Sequence, residues 1–156
     1  MDRFKEAQDR PGEGFESALR EIQRGGKQGH WIWYVFPQLS GLGVSSVSRT
    51  YGIHGMNEAE EYLKDPLLRS RLLAITTAVA DQLAQGASVE VVMGSSTDAL
   101  KLVSSLTLFG HVARKLQPVE DLPEYEALAR AAEDVLDAAA RQGYGPCQYT
   151  RDRLKA

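Results

Sequence analysis

The chain has a single cysteine, Cys147, in 156 residues. That excludes an internal disulfide and any metal centre built on several thiolates. Histidine is almost as scarce. His30, His54 and His111 lie far apart, outside the short spacings of zinc-binding motifs, and no metal site is read from them. No run approaches the ~18 consecutive apolar residues of a membrane span. The first residues, Met1-Asp2-Arg3-Phe4-Lys5-Glu6, alternate charge with no apolar segment behind them. No secretory signal is therefore read, and a cytoplasmic protein is expected. No linker rich in Pro, Gly or Ser divides the chain, and its length suits one core, so a single domain over residues 1–156 is expected. A formal charge of −3 gives no global attraction to phosphate backbones, so neither nucleic acid nor a membrane is indicated as a partner. Nothing in the sequence names a cofactor.

What the chain does have is helical patterning. Phe15, Ala18, Leu19 and Ile22 recur at helical spacing between charged residues and stop at Gly25-Gly26, which predicts a surface helix over residues 15–24. Ser45 opens a short helix to Tyr51. Asn57 precedes Glu58, Glu60 and Glu61 as an expected N-cap with acidic residues in the first turn. Asp65-Pro66 reads as a cap followed by proline at the first helical position, with the helix continuing to about Leu83. Residues 88–93 are β-branched and short, and fit either a strand or one helical turn ended by Gly94. Ser95-Ser96-Thr97 caps a helix from about Asp98 to Ala113, and an alanine-rich helix runs over residues 122–142 to Gly143.

Two segments mix polar and apolar residues unusually. On the helix from Asp98, the apolar side chains Leu100, Leu102, Val103, Leu106, Leu108 and Phe109 cover nearly the whole circumference, as in a helix enclosed by neighbours. Asp98, Lys101, Ser104 and Ser105 nonetheless form one polar stripe at i, i+3, i+6 and i+7. Burying an ion pair rarely adds stability over apolar packing, so stability alone does not account for that stripe. The other segment is Lys27-Gln28-Gly29-His30 followed by Trp31-Ile32-Trp33-Tyr34-Val35-Phe36-Pro37-Gln38, which holds both tryptophans of the chain. Both parities are apolar, so periodicity does not separate strand from helix, while the residue types favour a strand. Such rings are either core anchors or the wall of a cleft. The glycine-rich turn before them matches no phosphate-loop motif, although its amides and Lys27 suit an anion.

The string Gly29-His30-Trp31-Ile32-Trp33-Tyr34-Val35-Phe36-Pro37-Gln38, then Gly41-Leu42-Gly43 and Tyr51-Gly52-Ile53, resembles the DUF1810 family, with its HWMWFxFPQ, GLG and YxI. Glu58-Ala59, Tyr62-Leu63, Pro66-Leu67 and Arg71-Leu72 are similar to its EAxxYLxxPxL and RL. Gly94, Asp98, Lys101-Leu102, Ser104-Ser105 and Thr107-Leu108-Phe109 are similar to its GxxDxxKLxSSxTLF. The resemblance runs over about residues 4–110. It implies a mainly α, single compact multi-helix domain with at most minor strand content, overriding the strand preference at residues 31–36. It implies no activity, because the family carries no assigned biochemical function. Beyond about residue 111 the chain departs from the family pattern.

Both motifs are the mixed segments, which predicts that they meet at one cleft. The candidate ligand-binding residues are Lys27, Trp31, Trp33, Gln38, Lys101, Ser104 and Ser105, and the candidate proton-transfer residues are His30 and Asp98. The expected ligand is small and anionic, with a nucleotide-like molecule suited to lysines beside flat rings. Two other readings stay open at this stage: a protein-interaction module, and a purely structural helical domain whose polar stripe is an internal network. Whether the cleft is catalytic is left open by the residues.

Overall fold

The computed structural model describes residues 1–155. Ten helices are present among these residues: α1 (Asp2–Gln8), α2 (Phe15–Gln23), α3 (Ile32–Val35), α4 (Ser46–Tyr51), α5 (Met56–Lys64), α6 (Pro66–Ala84), α7 (Val89–Met93), α8 (Ser96–Glu120), α9 (Pro123–Arg141) and α10 (Gln148–Leu154). Extended pairing among the described residues is confined to one isolated parallel bridge between Leu39 and Ile53. None of these helices is long and apolar enough to cross a membrane.

Local chemistry sets several of the boundaries. The Asp65 carboxylate accepts from the Leu67 and Leu68 amides at 3.0 and 3.2 Å, and Pro66 occupies the first turn of α6, where its missing N–H costs nothing. The Ser95 hydroxyl accepts from the Asp98 amide at 3.1 Å and starts α8. α5 begins earlier than the acidic signature suggests. Its N-cap is Gly55, and Asn57 lies inside the first turn without a capping bond. α8 overruns the expected end at Ala113 because Val112, Ala113 and Leu116 stay buried. Pro118 removes a donor in its last turn, and the helix stops before Asp121, whose backbone is left-handed.

Two helices had no readable signal. α1 buries only Phe4, Ala7 and Gln8, and α10 buries only Thr150; both are too short for a periodic pattern to stand out. α3 replaces the strand that composition favoured. Trp31, Ile32, Tyr34, Val35 and Phe36 are all buried, so tertiary packing outweighs a β-preference that itself only describes fit to a pleated surface. The glutamine of α1 helps hold that turn: Gln8 Nε2 donates to the Tyr34 carbonyl at 2.7 Å.

α8 is the central helix. It packs against α3, α5, α7, α9 and α10, and Leu102, Leu106, Leu108 and Phe109 along it are fully buried. Within residues 99–109 of α8 the enclosure fails most at Leu100, which is 57% exposed. That gap lies on the side of α3 and the segment before α10, and it is the way into the candidate site.

Candidate functional site

The loop between α2 and α3 is organised by a carboxylate. Glu21 Oε1 accepts from the Gln28 amide at 2.7 Å, the Gly29 amide at 2.8 Å and the Trp31 indole Nε1 at 3.0 Å. Burial acts to raise the Glu21 pKa, but these bonds and the nearby Lys27 charge outweigh it and hold the carboxyl below its ordinary value. A carboxyl with a depressed folded pKa contributes stability that is fully present above its unfolded pKa and is lost as pH falls through the folded value. Thermal unfolding followed from pH 7 to pH 2 is therefore expected to show a loss of stability on the acid side, and Glu21→Gln to show a smaller one. An identical acid profile for both proteins would contradict this.

Lys27 leaves that loop toward α8. Its amide donates to the Val92 carbonyl at 2.8 Å, and its carbonyl lies so close to Gly94 that a Cβ there would come within 2.7 Å of it. Gly94 also has φ +85°, so the turn from α7 to α8 needs glycine on two counts. The Lys27 ammonium, with a side chain only 7% exposed, reaches Asp98 Oδ2 at 2.7 Å and the Gly29 carbonyl at 2.5 Å. Lys101 reaches the other carboxylate oxygen of Asp98 at 3.2 Å. One carboxylate thus sits between two ammonium groups, one from each segment.

Each lysine also lies over a tryptophan. Lys27 Nζ is 5.1 Å from the Trp31 ring and Lys101 Nζ is 4.0 Å from the Trp33 ring. The environments of the two rings differ completely. Trp31 is wholly buried, while Trp33 is half-buried and forms one side of an open cleft of about 460 Å³. Gln38, Lys101 and Ser104 line the same cleft. The volume lies within the usual range for small-molecule sites, roughly 300–1,000 Å³.

The nine candidate residues therefore separate. Trp33, Gln38, Lys101 and Ser104 share the cleft. Lys27 and Asp98 stand behind it, holding each other and Lys101. Trp31 belongs to the core, because its indole bond to Glu21 directs it inward. Ser105 is fully buried off the cleft and its hydroxyl has no partner. His30 is exposed and is not among the lining residues.

Sequence reasoning missed the rest of the wall. Leu42, Thr97, Leu100 and Val103 line the cleft, as do residues 145–148, including Cys147. The last group comes from the stretch that departs from the family pattern, so no motif pointed to it. Its position is fixed by α10. The Tyr149 hydroxyl donates to the Ser40 carbonyl at 2.8 Å and fills the space where Gly41, at φ +96°, has no side chain. Thr150 is fully buried, 3.4 Å from the Ser104 hydroxyl, and its own hydroxyl donates to the Cys147 sulfur at 3.3 Å. No set of three or more His, Cys, Asp or Glu side chains that could hold a metal ion occurs among the described residues.

A family model described as a protein of unknown function, DUF1810, matches residues 1–132. The chain belongs to the DUF1810 family. The match extends past the motifs and takes in α8 and the first part of α9, leaving residues 133–156 outside it. A solved structure supports the same assignment over nearly the whole length. A conserved hypothetical protein of Mycobacterium tuberculosis is 35% identical, with a TM-score of 0.74, over 99% of this chain and 96% of that one. No curated protein matches. The DUF1810 motifs thus supply Trp33, Gln38, Lys101 and Ser104 from two sides of the cleft, and α10 brings in the third.

Proposed function

We propose that this DUF1810 domain binds a small anionic ligand that carries a flat ring, of nucleotide-like character, in the cleft between α3 and α8. One observation carries the reading: the Lys101 ammonium rests 4.0 Å over the half-buried Trp33 ring at the edge of a cleft of about 460 Å³. A cation on an exposed aromatic face contributes only about 0.5–1 kcal/mol. Stacking of a heteroaromatic ring on such a face is worth about 1–3 kcal/mol. An incoming ring can therefore take the place of the ammonium, which is then free to meet the ligand's negative charge. Asp98 is the positioning group in this reading, since it restrains Lys101 from behind while Lys27 restrains Asp98.

The geometry favours binding over a purely structural network. A network serving stability alone closes on itself, as Lys27 does with Asp98 and Gly29, and has no need of space beside it. Lys101 instead makes one ion-pair contact, on Asp98, and lines the cleft.

Thermal-shift screening against nucleotides, sugar phosphates and coenzymes tests the proposal, because a ligand of the native state raises its melting temperature. Lys101→Ala and Trp33→Ala are each expected to abolish the shift given by the best ligand while far-UV circular dichroism stays that of the parent. A shift retained in both variants sinks the proposal.

A further inference from the structure

Two glutamines of this chain are almost completely buried, and they are treated in opposite ways. Gln8 is 3% exposed and fully engaged: its Nε2 donates to the Tyr34 carbonyl at 2.7 Å and to the Tyr62 hydroxyl at 3.1 Å, and its Oε1 accepts from Arg71 at 3.4 Å. Gln38 is 8% exposed, and its main-chain carbonyl accepts from the Ile53 amide at 2.9 Å. Its side-chain amide has no hydrogen-bond partner among the described residues, and the residue lines the cleft beside Trp33.

That amide is open to the cleft, since the fully buried side-chain polar atoms without a partner among the described residues are those of Thr76 and Ser105, so its donor and acceptor stay available to whatever fills the cleft. No protein group among the described residues uses the functional end of Gln38. The amide presents one N–H donor group and one carbonyl acceptor side by side, so its complement is a molecule with an adjacent acceptor and donor on one edge. The platform next to it is the Trp33 ring, which suits a flat molecule.

We infer that Gln38 is the specificity-determining residue of the cleft, reading the donor–acceptor edge of a heteroaromatic ring stacked on Trp33, so that the ligand class is a nucleotide whose base carries such an edge. This rests on the anionic-ligand reading of the cleft and adds the part of the ligand that the lysine does not address. Glutamine makes paired hydrogen bonds of this kind to the N6 and N7 edge of adenine, and a good bidentate pair discriminates by about 1–3 kcal/mol, which is about 5–150-fold in affinity.

The experiment compares adenosine 5′-monophosphate with purine riboside 5′-monophosphate, which keeps the ring and the phosphate and lacks only the 6-amino donor. Isothermal titration calorimetry on the full chain is expected to show the first binding at least about tenfold tighter than the second. Gln38→Leu is expected to bind both at the weaker level and to unfold close to the parent's melting temperature, whereas Gln8→Leu, which breaks a satisfied network, unfolds below it. Gln38→Met serves as a second apolar variant should the leucine fail to fit. Equal binding of the two nucleotides by the parent leaves the cleft reading standing and overturns the role of Gln38. A preference that survives in Gln38→Leu or Gln38→Met overturns it as well. Absence of binding of both nucleotides to the parent overturns the role of Gln38, and the thermal-shift screen then decides the cleft reading separately.

Discussion

Asp98→Asn is expected to lower the unfolding free energy by about 3 kcal/mol, the lower end of the cost of removing one partner from a buried ion pair. The substitution keeps the shape of the side chain and removes only the charge that lies between Lys27 at 2.7 Å and Lys101 at 3.2 Å. Lys27 suffers most. Its side chain is 7% exposed, against 19% for Lys101, so it cannot recover hydration without moving the loop that Glu21 holds in place. Replacing it in the same molecule, as Asp98→Asn with Lys27→Met, is expected to restore part of the loss, because the buried charge left without its carboxylate partner is then gone. Urea denaturation measures both, as a lower midpoint at unchanged slope for the single variant and a partial return for the double. A loss below about 1 kcal/mol would mean that the cluster behaves as an ordinary surface pair.

The second large effect separates the two tryptophans. Trp31→Ala is expected to cost about 3–5 kcal/mol, the range for removing a fully buried large aromatic side chain. It also takes away one of the three donors to the Glu21 carboxylate, leaving the Gln28 and Gly29 amides. Trp33→Ala should cost less, since its side chain is only partly buried and lines the cleft, and its main consequence is loss of ligand binding. The chain has two tryptophans, so Trp31→Phe leaves Trp33 as the single indole reporter, and a ligand stacking on it is expected to change the emission of that variant. Equal stability losses for the two alanine variants would contradict the assignment of one ring to the core and the other to the cleft.

The difference between these rings could not be read from the sequence, and the reason is geometric. Residues two apart point to the same face of a strand and to nearly opposite sides of a helix, at about 100° of rotation per residue. With both parities apolar, the run 31–36 offered no period, and residue types favoured the strand. In the strand reading both indoles line one surface together. In the helical turn that forms, one is directed into the core and the other away from it. The resemblance to DUF1810 corrected the element type, but it named no residue's direction.

The polar stripe on α8 was legible to a similar depth. Its spacing placed Asp98, Lys101, Ser104 and Ser105 on one side of the helix, and Lys101 and Ser104 do line the cleft. Ser105 does not, although its angular position lies between those of Asp98 and Lys101, because it sits one turn farther along the helix than Lys101, within residues 102–109, which are all buried. Leu100, read as part of an enclosed surface, is exposed for the converse reason: only part of that side is covered by neighbouring elements.

The sequence by itself determined the helical class, the caps at Asp65 and Ser95, and the two segments that supply one side of the cleft each. Those features depend on residues close together in the chain, whose types and spacing fix local backbone geometry directly. Only the tertiary structure decided that Trp33 rather than Trp31 faces the cleft, that Lys27 serves Asp98 while Lys101 borders open space, and that residues 145–148 form the third wall. It also decided that Gln8 is satisfied and Gln38 is not. Whether a buried amide finds a partner depends on groups brought near it from distant parts of the chain, and no local pattern carries that information.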